Sequence, residues 1–341
     1  MSIPEGMIRY LPQVEEALQG ALRVPRPSVA AHHAMMHYHL GWTNEALEPH
    51  RARGGKRLRP VICLLACQAA GGDVETALPA AAAIEILHNF SLAHDDIEDN
   101  SPTRRGRRAL WTLWGVPQAI NVGDALFALA RQTLGQLAER GVPAERALAA
   151  NRAFDATCVA LTEGQYLDMS FEDRLDVTVG EYMEMIGGKT AALLGLSAQL
   201  GSLLAGADAE TVARFLEFGQ QLGIAFQIQD DILGIWGDES ITGKSAASDI
   251  LEKKKTLPVV YGLGSTVGER LRAIYRQPAL TAMHIPEVLA LLREVDALGY
   301  AQAMAEDASQ QALDALAASD LGDAALAELR ELAALLQGRS R

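Results

Sequence analysis

Residues with a high helix propensity, spaced with a helical period, occupy most of this 341-residue chain. Short turn signals such as Gly71-Gly72-Asp73 and Gly141-Val142-Pro143 separate them. No stretch shows sustained strand alternation with β-branched residues, and no linker rich in Gly, Ser or Pro divides the chain. The sequence therefore predicts an all-α fold with one domain over residues 1–341. The predicted helices cover residues 28–50, 57–71, 75–99, 117–140, 144–170, 178–206, 208–236, 284–298 and 300–337.

The charge balance limits the ligands that this chain can bind. It has 30 Lys and Arg against 43 Asp and Glu, a formal net charge of −13. A general nucleic-acid binder needs a positive surface to release phosphate counterions, so the sequence predicts no nucleic-acid partner. Any anionic ligand must be held by a local cluster of cations or through metal ions.

The cysteines and the apolar segments predict a soluble cytoplasmic protein. Cys63, Cys67 and Cys158 are odd in number and form no CxxC pair, which favours buried thiols in a reducing compartment. The N-terminus lacks the features of a signal peptide. The longest uncharged stretch, residues 190–207, contains Thr, Ser, Gln and Gly and is more typical of a buried helix than of a membrane span.

A cluster of aspartates ends one long apolar segment, at Asp95, Asp96 and Asp99. On a helix, Asp96 lies about 100° and Asp99 about 40° from Asp95, so all three share one face. Neighbouring carboxylates repel one another unless a cation lies between them, and hard oxygen ligands suit Mg²⁺. The alternative is a solvated acidic helix end.

A second acidic pair, Asp230 and Asp231, also interrupts an apolar helix. Two such pairs on two long helices predict a helical bundle around a central cavity with carboxylates on facing walls. Basic segments supply opposite charge: residues 51–60 hold five cations, and four arginines lie within residues 104–108. Taken singly each basic segment is more typical of a solvated surface, but together they predict a site for two phosphorylated ligands.

Six motifs occur in the order found in trans-isoprenyl diphosphate synthases. They are GGKRLRP, HDDIEDNSPTRRG, GQYLD, GGKTAALL, AFQIQDD with GDESITGK, and SDILEKKKTLP, within residues 50–260. The chain most resembles the short-chain geranylgeranyl diphosphate synthases. The resemblance implies the isoprenoid synthase type I fold, a homodimer, and the substrates isopentenyl diphosphate and an allylic diphosphate (dimethylallyl, geranyl or farnesyl).

The resemblance also implies a role for each motif residue. The two aspartate motifs, with Asp168, would hold about three Mg²⁺ ions, and Asp95, Asp96, Asp99, Lys189, Asp230 and Asp231 would be catalytic. Lys56, Arg59, His88 and Arg105 would bind isopentenyl diphosphate. Arg104, Lys189, Lys244 and Lys254 would bind the allylic diphosphate. Gln165, Asp168, Thr190 and Gln227 would support the metals and the developing carbocation. One departure is Gly234, where the family often has a third Asp, so water or Asp238 would replace a carboxylate.

The implied chemistry is ionisation, condensation and elimination, with a C20 product expected and C15 as the alternative. Bulky residues just before the first aspartate motif limit chain length in this family. Here Phe90 lies five positions upstream of Asp95, Ser91 lies four upstream, and Leu87 is near them. Because Phe90 projects about 140° from Asp95 on a helix, simple core packing is the alternative role.

Two other functions remain to be distinguished. A terpene cyclase would use the same metal chemistry on one diphosphate and would leave GGKRLRP and Arg105 without a role. A non-catalytic partner subunit of a heteromeric synthase usually lacks one aspartate motif, whereas this chain retains both in large part.

Overall fold

The computed structural model describes residues 5–52, 54–237 and 247–337, and these residues form helices joined by short turns. One hairpin, β1 (Thr103–Arg104) with β2 (Arg107–Arg108), is the exception among them. The predicted all-α class is confirmed. The helices are α1 (Glu5–Ala21), α2 (Ala30–Leu40), α3 (Leu58–Ala69), α4 (Val74–Glu98), α5 (Leu110–Trp114), α6 (Val116–Gly135), α7 (Ala144–Phe171), α8 (Val179–Ile186), α9 (Ala192–Ala205), α10 (Ala209–Trp236), α11 (Ser248–Leu251), α12 (Leu257–Leu263), α13 (Gly268–Tyr275), α14 (Ile285–Glu294), α15 (Ala297–Ala317) and α16 (Asp323–Gln337).

Three helix boundaries differ from the sequence prediction for local reasons. The segment predicted over 28–50 ends at Leu40, because Gly41 takes a left-handed conformation with φ of 90°. The segment predicted over 178–206 is interrupted by a π-helical turn, Gly187–Ala191. The segment predicted over 300–337 consists of α15 and α16, and the amphipathic α1 was not predicted.

The chain divides into two compact units, and each contains segments that are distant in sequence. Unit 1 consists of Met1–Ala156, Leu196–Leu216 and Asp320–Leu329. Unit 2 consists of Thr157–Gly195, Glu217–Ser319 and Arg330–Arg341. The sequence-based assignment of a single domain over 1–341 stays a prediction.

In unit 1, helix α4 is buried along most of its length. It packs against α1, α3 and α6, and its residues 80–87 are at most 2% exposed. A helix that is apolar on all sides must be surrounded by other elements, which explains this position. The polar C-terminal end of α4, which contains Asp95 and Asp96, therefore follows directly after its buried part. The thiols of Cys63 and Cys67 lie in α3 and are buried, as predicted.

In unit 2, the part of α10 that follows Leu216 packs with α8, α12 and α15. Their core includes the buried side chains of Tyr182, Ile228 and Leu257. Helix α8 begins with a capping box, in which Thr178 and Glu181 satisfy each other's backbone N–H groups. Over the described ranges, no helix combines the length and the apolar character that crossing a bilayer requires.

Candidate active site

The first aspartate motif lies at the C-terminal end of α4 in unit 1. Asp95 is half-buried, Asp96 is buried and Asp99, which caps the helix, is exposed. The backbone carbonyls at this end carry the negative pole of the helix, so three carboxylates here are electrostatically unfavourable by themselves. This end of α4 therefore favours a bound cation.

Arg104 supplies part of that positive charge from the hairpin β1–β2. Its Nε lies 2.7 Å from Asp96 Oδ1, and its Nη2 lies 3.1 Å from Asp95 Oδ2. The turn is tight because Arg105 and Gly106 both have positive φ, 55° and 74°, as in the two-residue turns that suit twisted hairpins. The turn thus places Arg104 over the carboxylates.

One carboxylate oxygen of Asp96 receives no hydrogen bond from the described residues. Its Oδ2 is buried and has no hydrogen-bond partner among the described residues. Burial raises the pKa of Asp96 to about 6, against the opposing effect of Arg104. Such an oxygen, beside Asp95, fits a hard divalent cation, which binds one or two carboxylates together with substrate phosphates. No trio of His, Cys, Asp or Glu in the described ranges encloses a metal by itself.

Arg57, in the basic segment 51–60, has a structural role that its sequence context did not indicate. Its side chain is 2% exposed and forms ion pairs with Glu85 at 2.8 Å and with Glu15 at 2.7 Å. It also donates to the carbonyl oxygen of Gly54 at 2.6 Å. Arg57 therefore fixes the glycine loop to α4 and α1 and is not available to a ligand.

Three of the residues predicted to bind isopentenyl diphosphate form a cationic cluster in unit 1. Nη1 of Arg59 lies 3.4 Å from Nε2 of His88, and Arg59 Nε is buried without an acceptor among the described residues. Arg105 donates to the Gly54 carbonyl at 2.8 Å. Burial and the charges of Arg59 and Arg105 hold the pKa of His88 well below its usual value. A neutral histidine among fixed guanidinium groups is suited to an anion.

The same cluster continues to α2 and to the rest of the hairpin. Lys56 is exposed in the loop beside the cluster. His39 on α2 is 8% exposed, and its Nε2 has no partner within the described part of the chain. A cavity of about 10 Å³ opens there, lined by Tyr38, His39, Arg104, Arg105, Arg107, Arg108 and Ala109. Arg107 is already held by the carbonyls of Tyr38 and Thr43.

The predicted chain-length residues lie on α4, one to two turns before the aspartates. The ring of Phe90 contacts the ring of His94, 4.9 Å between centroids, and that of Phe127 on α6, 5.1 Å away. Ser91 is half-buried and donates to the His88 carbonyl, and Leu87 is fully buried. Phe90 therefore packs on α6, and its role in limiting chain length stays a prediction.

In unit 2, the two aspartates of the second motif have different surroundings. Asp230 is exposed, whereas Asp231 is 6% exposed. Both oxygens of Asp231 accept hydrogen bonds, from Tyr182 Oη at 2.6 Å, Leu257 N at 2.8 Å and Gln227 Nε2 at 3.0 Å. Burial raises the pKa of Asp231 to about 7, although these donors oppose the shift. Asp231 thus anchors α10 to α8 and α12.

A π-helical turn organises the other predicted residues of unit 2. The Lys189 ammonium forms an ion pair with Asp168, and Thr190 donates to Gln227 Oε1 at 2.8 Å. The turn can approach α7 because Gly164 lacks a side chain: a Cβ there would lie 2.7 Å from the Gly188 carbonyl carbon. The insertion of a π turn into a helix often marks a functional site. Gln165 lies half-buried beside Gly164.

The remaining predicted residues follow the second motif. Lys254 is half exposed, and its Nζ lies 3.2 Å from Glu252 and 3.9 Å from Asp249. Lys244 and Asp238 lie outside the described residues. Sequence reasoning missed Tyr182, because a tyrosine in an apolar helix carries no signal of its partner. It also missed Asp249, although this residue belongs to the motif SDILEKKKTLP.

Comparisons with known proteins show the family to which this chain belongs. The sequence profile of the family described as polyprenyl synthetase matches residues 41–292. A geranylgeranyl diphosphate synthase of Mycobacterium tuberculosis is 42% identical over 285 residues, covering 83% of this chain and 80% of that protein. A (2E,6E)-farnesyl diphosphate synthase of Mycobacterium bovis is 39% identical over 302 residues, covering 87% and 83%. The crystal structure of geranylgeranyl pyrophosphate synthetase from Pyrococcus horikoshii aligns with a TM-score of 0.87 at 32% identity, covering 98% of both chains.

Proposed function

Because this chain belongs to the polyprenyl synthetase family of prenyltransferases, we propose that it condenses isopentenyl diphosphate with an allylic diphosphate in the presence of Mg²⁺. The observation that carries this proposal is the arrangement at the end of α4. There Arg104 contacts both Asp95 and Asp96, while a second oxygen of Asp96 is buried and unpaired within the described residues. These groups are suited to a metal-bound diphosphate.

In this proposal the chain's own residues stabilise the negative charge that forms on the diphosphate when the allylic substrate ionises. Bound Mg²⁺, about three ions, supplies Lewis-acid stabilisation of the departing diphosphate. We propose metal-binding roles for Asp95, Asp96 and Asp99 in unit 1 and for Asp168, Asp230 and Asp231 in unit 2. We propose diphosphate-binding roles for Arg104 in unit 1, for Lys189 and Lys254 in unit 2, and for Lys244, which lies outside the described residues. Positive charges of this kind stabilise the negative charge that develops on the diphosphate in the transition state.

The second substrate would bind at the cationic cluster of unit 1. Arg59, Arg105 and Lys56 supply charge for the diphosphate of isopentenyl diphosphate, and the low pKa of His88 keeps its imidazole neutral at physiological pH. Gln165, Thr190 and Gln227 supply polar groups for the metals and the carbocation. The released diphosphate is the expected acceptor of the proton lost on elimination. This cluster favours a two-substrate condensation over cyclisation, which needs a single diphosphate.

The proposed product is geranylgeranyl diphosphate, C20, with farnesyl diphosphate, C15, as the second candidate. Relatives with both names align over most of the chain, and the geranylgeranyl diphosphate synthase of M. tuberculosis has the higher identity, 42% against 39%. Phe90 and its contact with Phe127 are the proposed limit on product growth. We further propose that the chain acts as a homodimer in the cytoplasm.

A product assay tests the proposal. Purified protein is incubated with Mg²⁺, isopentenyl diphosphate and, in separate reactions, dimethylallyl, geranyl or farnesyl diphosphate, and the dephosphorylated products are separated by chromatography. Linear C20 alcohol is expected. A cyclic hydrocarbon would indicate a terpene cyclase, and no elongation with any primer would contradict the proposal. Size-exclusion chromatography with light scattering on the same sample measures the oligomeric state.

A further inference from the structure

Gly234 leaves a gap in the second aspartate motif. It lies four residues after Asp230 on α10, so the two positions share a helix face one turn apart. The family often has a third aspartate at this position, and glycine offers no oxygen. A carboxylate supplied to this face from another element would complete the motif.

The carboxylate of Asp249 occupies the space beside Gly234. A Cβ placed on Gly234 would lie 2.5 Å from Cγ of Asp249 and closer still to Oδ2. No side chain larger than hydrogen fits there unless Asp249 moves. Asp249 is 7% exposed and lies in the first turn of α11, whose N-cap residue Ala247 has a φ of 59°. The Asp249 carboxylate therefore fills the space that a side chain at position 234 would occupy.

The neighbours of Asp249 belong to the proposed site. Nζ of Lys254, a proposed ligand of the allylic diphosphate, lies 3.9 Å from Asp249 Oδ1. The backbone N–H of Lys254 also donates to the Asp249 carbonyl at 2.9 Å, which fixes the two residues relative to each other. Asp249 thus lies beside a cation that the proposed function assigns to the allylic diphosphate.

We propose that Asp249 supplies the third carboxylate of the second aspartate motif, replacing the residue that Gly234 lacks. Its oxygens contribute to binding a divalent cation together with Asp230, and Gly234 is required because it makes room for them. This assignment rests on the proposed function and adds a residue to its metal site.

Metal binding tests the assignment without a measurement of turnover. Mn²⁺, which prefers the same oxygen ligands, is titrated into protein with inorganic pyrophosphate, and its affinity is measured by calorimetry and by the electron paramagnetic resonance of unbound Mn²⁺. Asp249→Asn, which keeps the shape and removes the charge, is expected to weaken Mn²⁺ binding about 10- to 100-fold. Glu294→Gln is the matched control, because it removes an exposed carboxylate paired with Arg270 in the same unit. Its Mn²⁺ affinity is expected to equal that of the wild type.

Asp230→Asn separates this assignment from the function on which it depends. If Asp230→Asn weakens Mn²⁺ binding and Asp249→Asn does not, the assignment of Asp249 is overturned and the proposed function stands. If neither variant weakens it, the metal role of the second motif, and with it the proposed function, is contradicted. Circular dichroism spectra of each variant report its helix content.

A carboxylate exchange keeps the assignment testable if Asp249→Asn folds poorly. The single variant Gly234→Asp is expected to bind Mn²⁺ less tightly than the wild type, because its side chain overlaps Asp249. The double variant Gly234→Asp with Asp249→Ser moves the carboxylate to the position usual in the family and is expected to regain affinity to within about tenfold of the wild type. A double variant that binds no better than Asp249→Ser alone would overturn the assignment.

Discussion

Replacing Glu85 with leucine is expected to destabilise the fold and to weaken binding of isopentenyl diphosphate. Glu85 and Arg57 form a buried ion pair, with side chains 3% and 2% exposed and an Nη1–Oε1 distance of 2.8 Å. Leucine fills a similar space but leaves the guanidinium of Arg57 without this counter-charge. It also removes one of two acceptors of the Asn89 amide, Oε1 at 3.0 Å, and leaves the Glu85 backbone carbonyl at 2.8 Å.

The expected loss in the free energy of unfolding depends on the partners that Arg57 keeps in the variant. Removing one partner of a buried pair costs about 3–5 kcal/mol. Arg57 keeps Glu15, whose side chain is 29% exposed, and the carbonyl of Gly54, so the lower end of that range applies. The lost hydrogen bond from Asn89 adds about 1 kcal/mol. We therefore expect a loss of about 4 kcal/mol in the free energy of unfolding.

Urea unfolding followed by circular dichroism measures the stability, and steady-state kinetics measure the functional effect. Because the Gly54 carbonyl accepts hydrogen bonds from both Arg57 and Arg105, the KM for isopentenyl diphosphate is expected to rise more than that for the allylic substrate. Glu294→Leu is the control. It breaks an exposed pair with Arg270 and is expected to change stability by less than about 0.5 kcal/mol.

A double-mutant cycle tests whether the uncompensated charge of Arg57 causes this loss of stability. If an uncompensated buried charge causes the loss, Glu85→Leu combined with Arg57→Leu is expected to be less destabilising than the sum of the two single changes. Additive losses, or a Glu85→Leu variant within about 1 kcal/mol of the wild type, would show that this pair does not fix the loop as described.

Four further outcomes are expected. Phe90→Ala, which removes the ring packed on α6, is expected to shift the product to longer chains, and an unchanged product distribution by chromatography would contradict its role as a limit. Arg104→Ala is expected to lower kcat about 100-fold while the helix content is retained, and a kcat near that of the wild type would contradict its role at the diphosphate. Chelation with EDTA is expected to abolish turnover and added Mg²⁺ to restore it; turnover that persists in EDTA would argue against metal dependence. Burial and neighbouring arginines lower the pKa of His39 to about 3, so its contribution to stability is present above pH of about 6.5 and is lost as the pH falls toward 3. His39→Gln is expected to flatten urea midpoints over that range, and an unchanged slope would contradict a buried neutral imidazole.

The sequence predicted those parts of the fold that depend on local pattern. The helix predicted over 75–99 is observed as α4, Val74–Glu98, because its apolar run is continuous and Asp73 caps it. The helix predicted over 208–236 is observed as α10, Ala209–Trp236, and the Asp208 carboxylate accepts a hydrogen bond from the backbone N–H of Thr211 at its start. The motifs also indicated which cations lie near the aspartates, and Arg104 contacts Asp95 and Asp96.

What the sequence could not reveal depends on contacts between distant residues. Arg57 resembled its neighbours Lys56 and Arg59, yet its partners Glu15 and Glu85 lie 42 and 28 residues away. The π turn at residues 187–191 begins with two glycines, which signal a turn but do not indicate its π geometry. Its close approach to Gly164 is a contact between residues that are distant in sequence.

Arg104 has a consequence for the order in which ligands bind. Its guanidinium forms ion pairs with Asp95 and Asp96, so a metal ion that binds these carboxylates is expected to compete with this positive charge. If a diphosphate binds Arg104, as proposed, it is expected to draw the guanidinium away from the carboxylates. Metal and diphosphate are then expected to strengthen each other's binding by the same factor in both directions. Free Mg²⁺ is then expected to bind weakly until a substrate arrives with it.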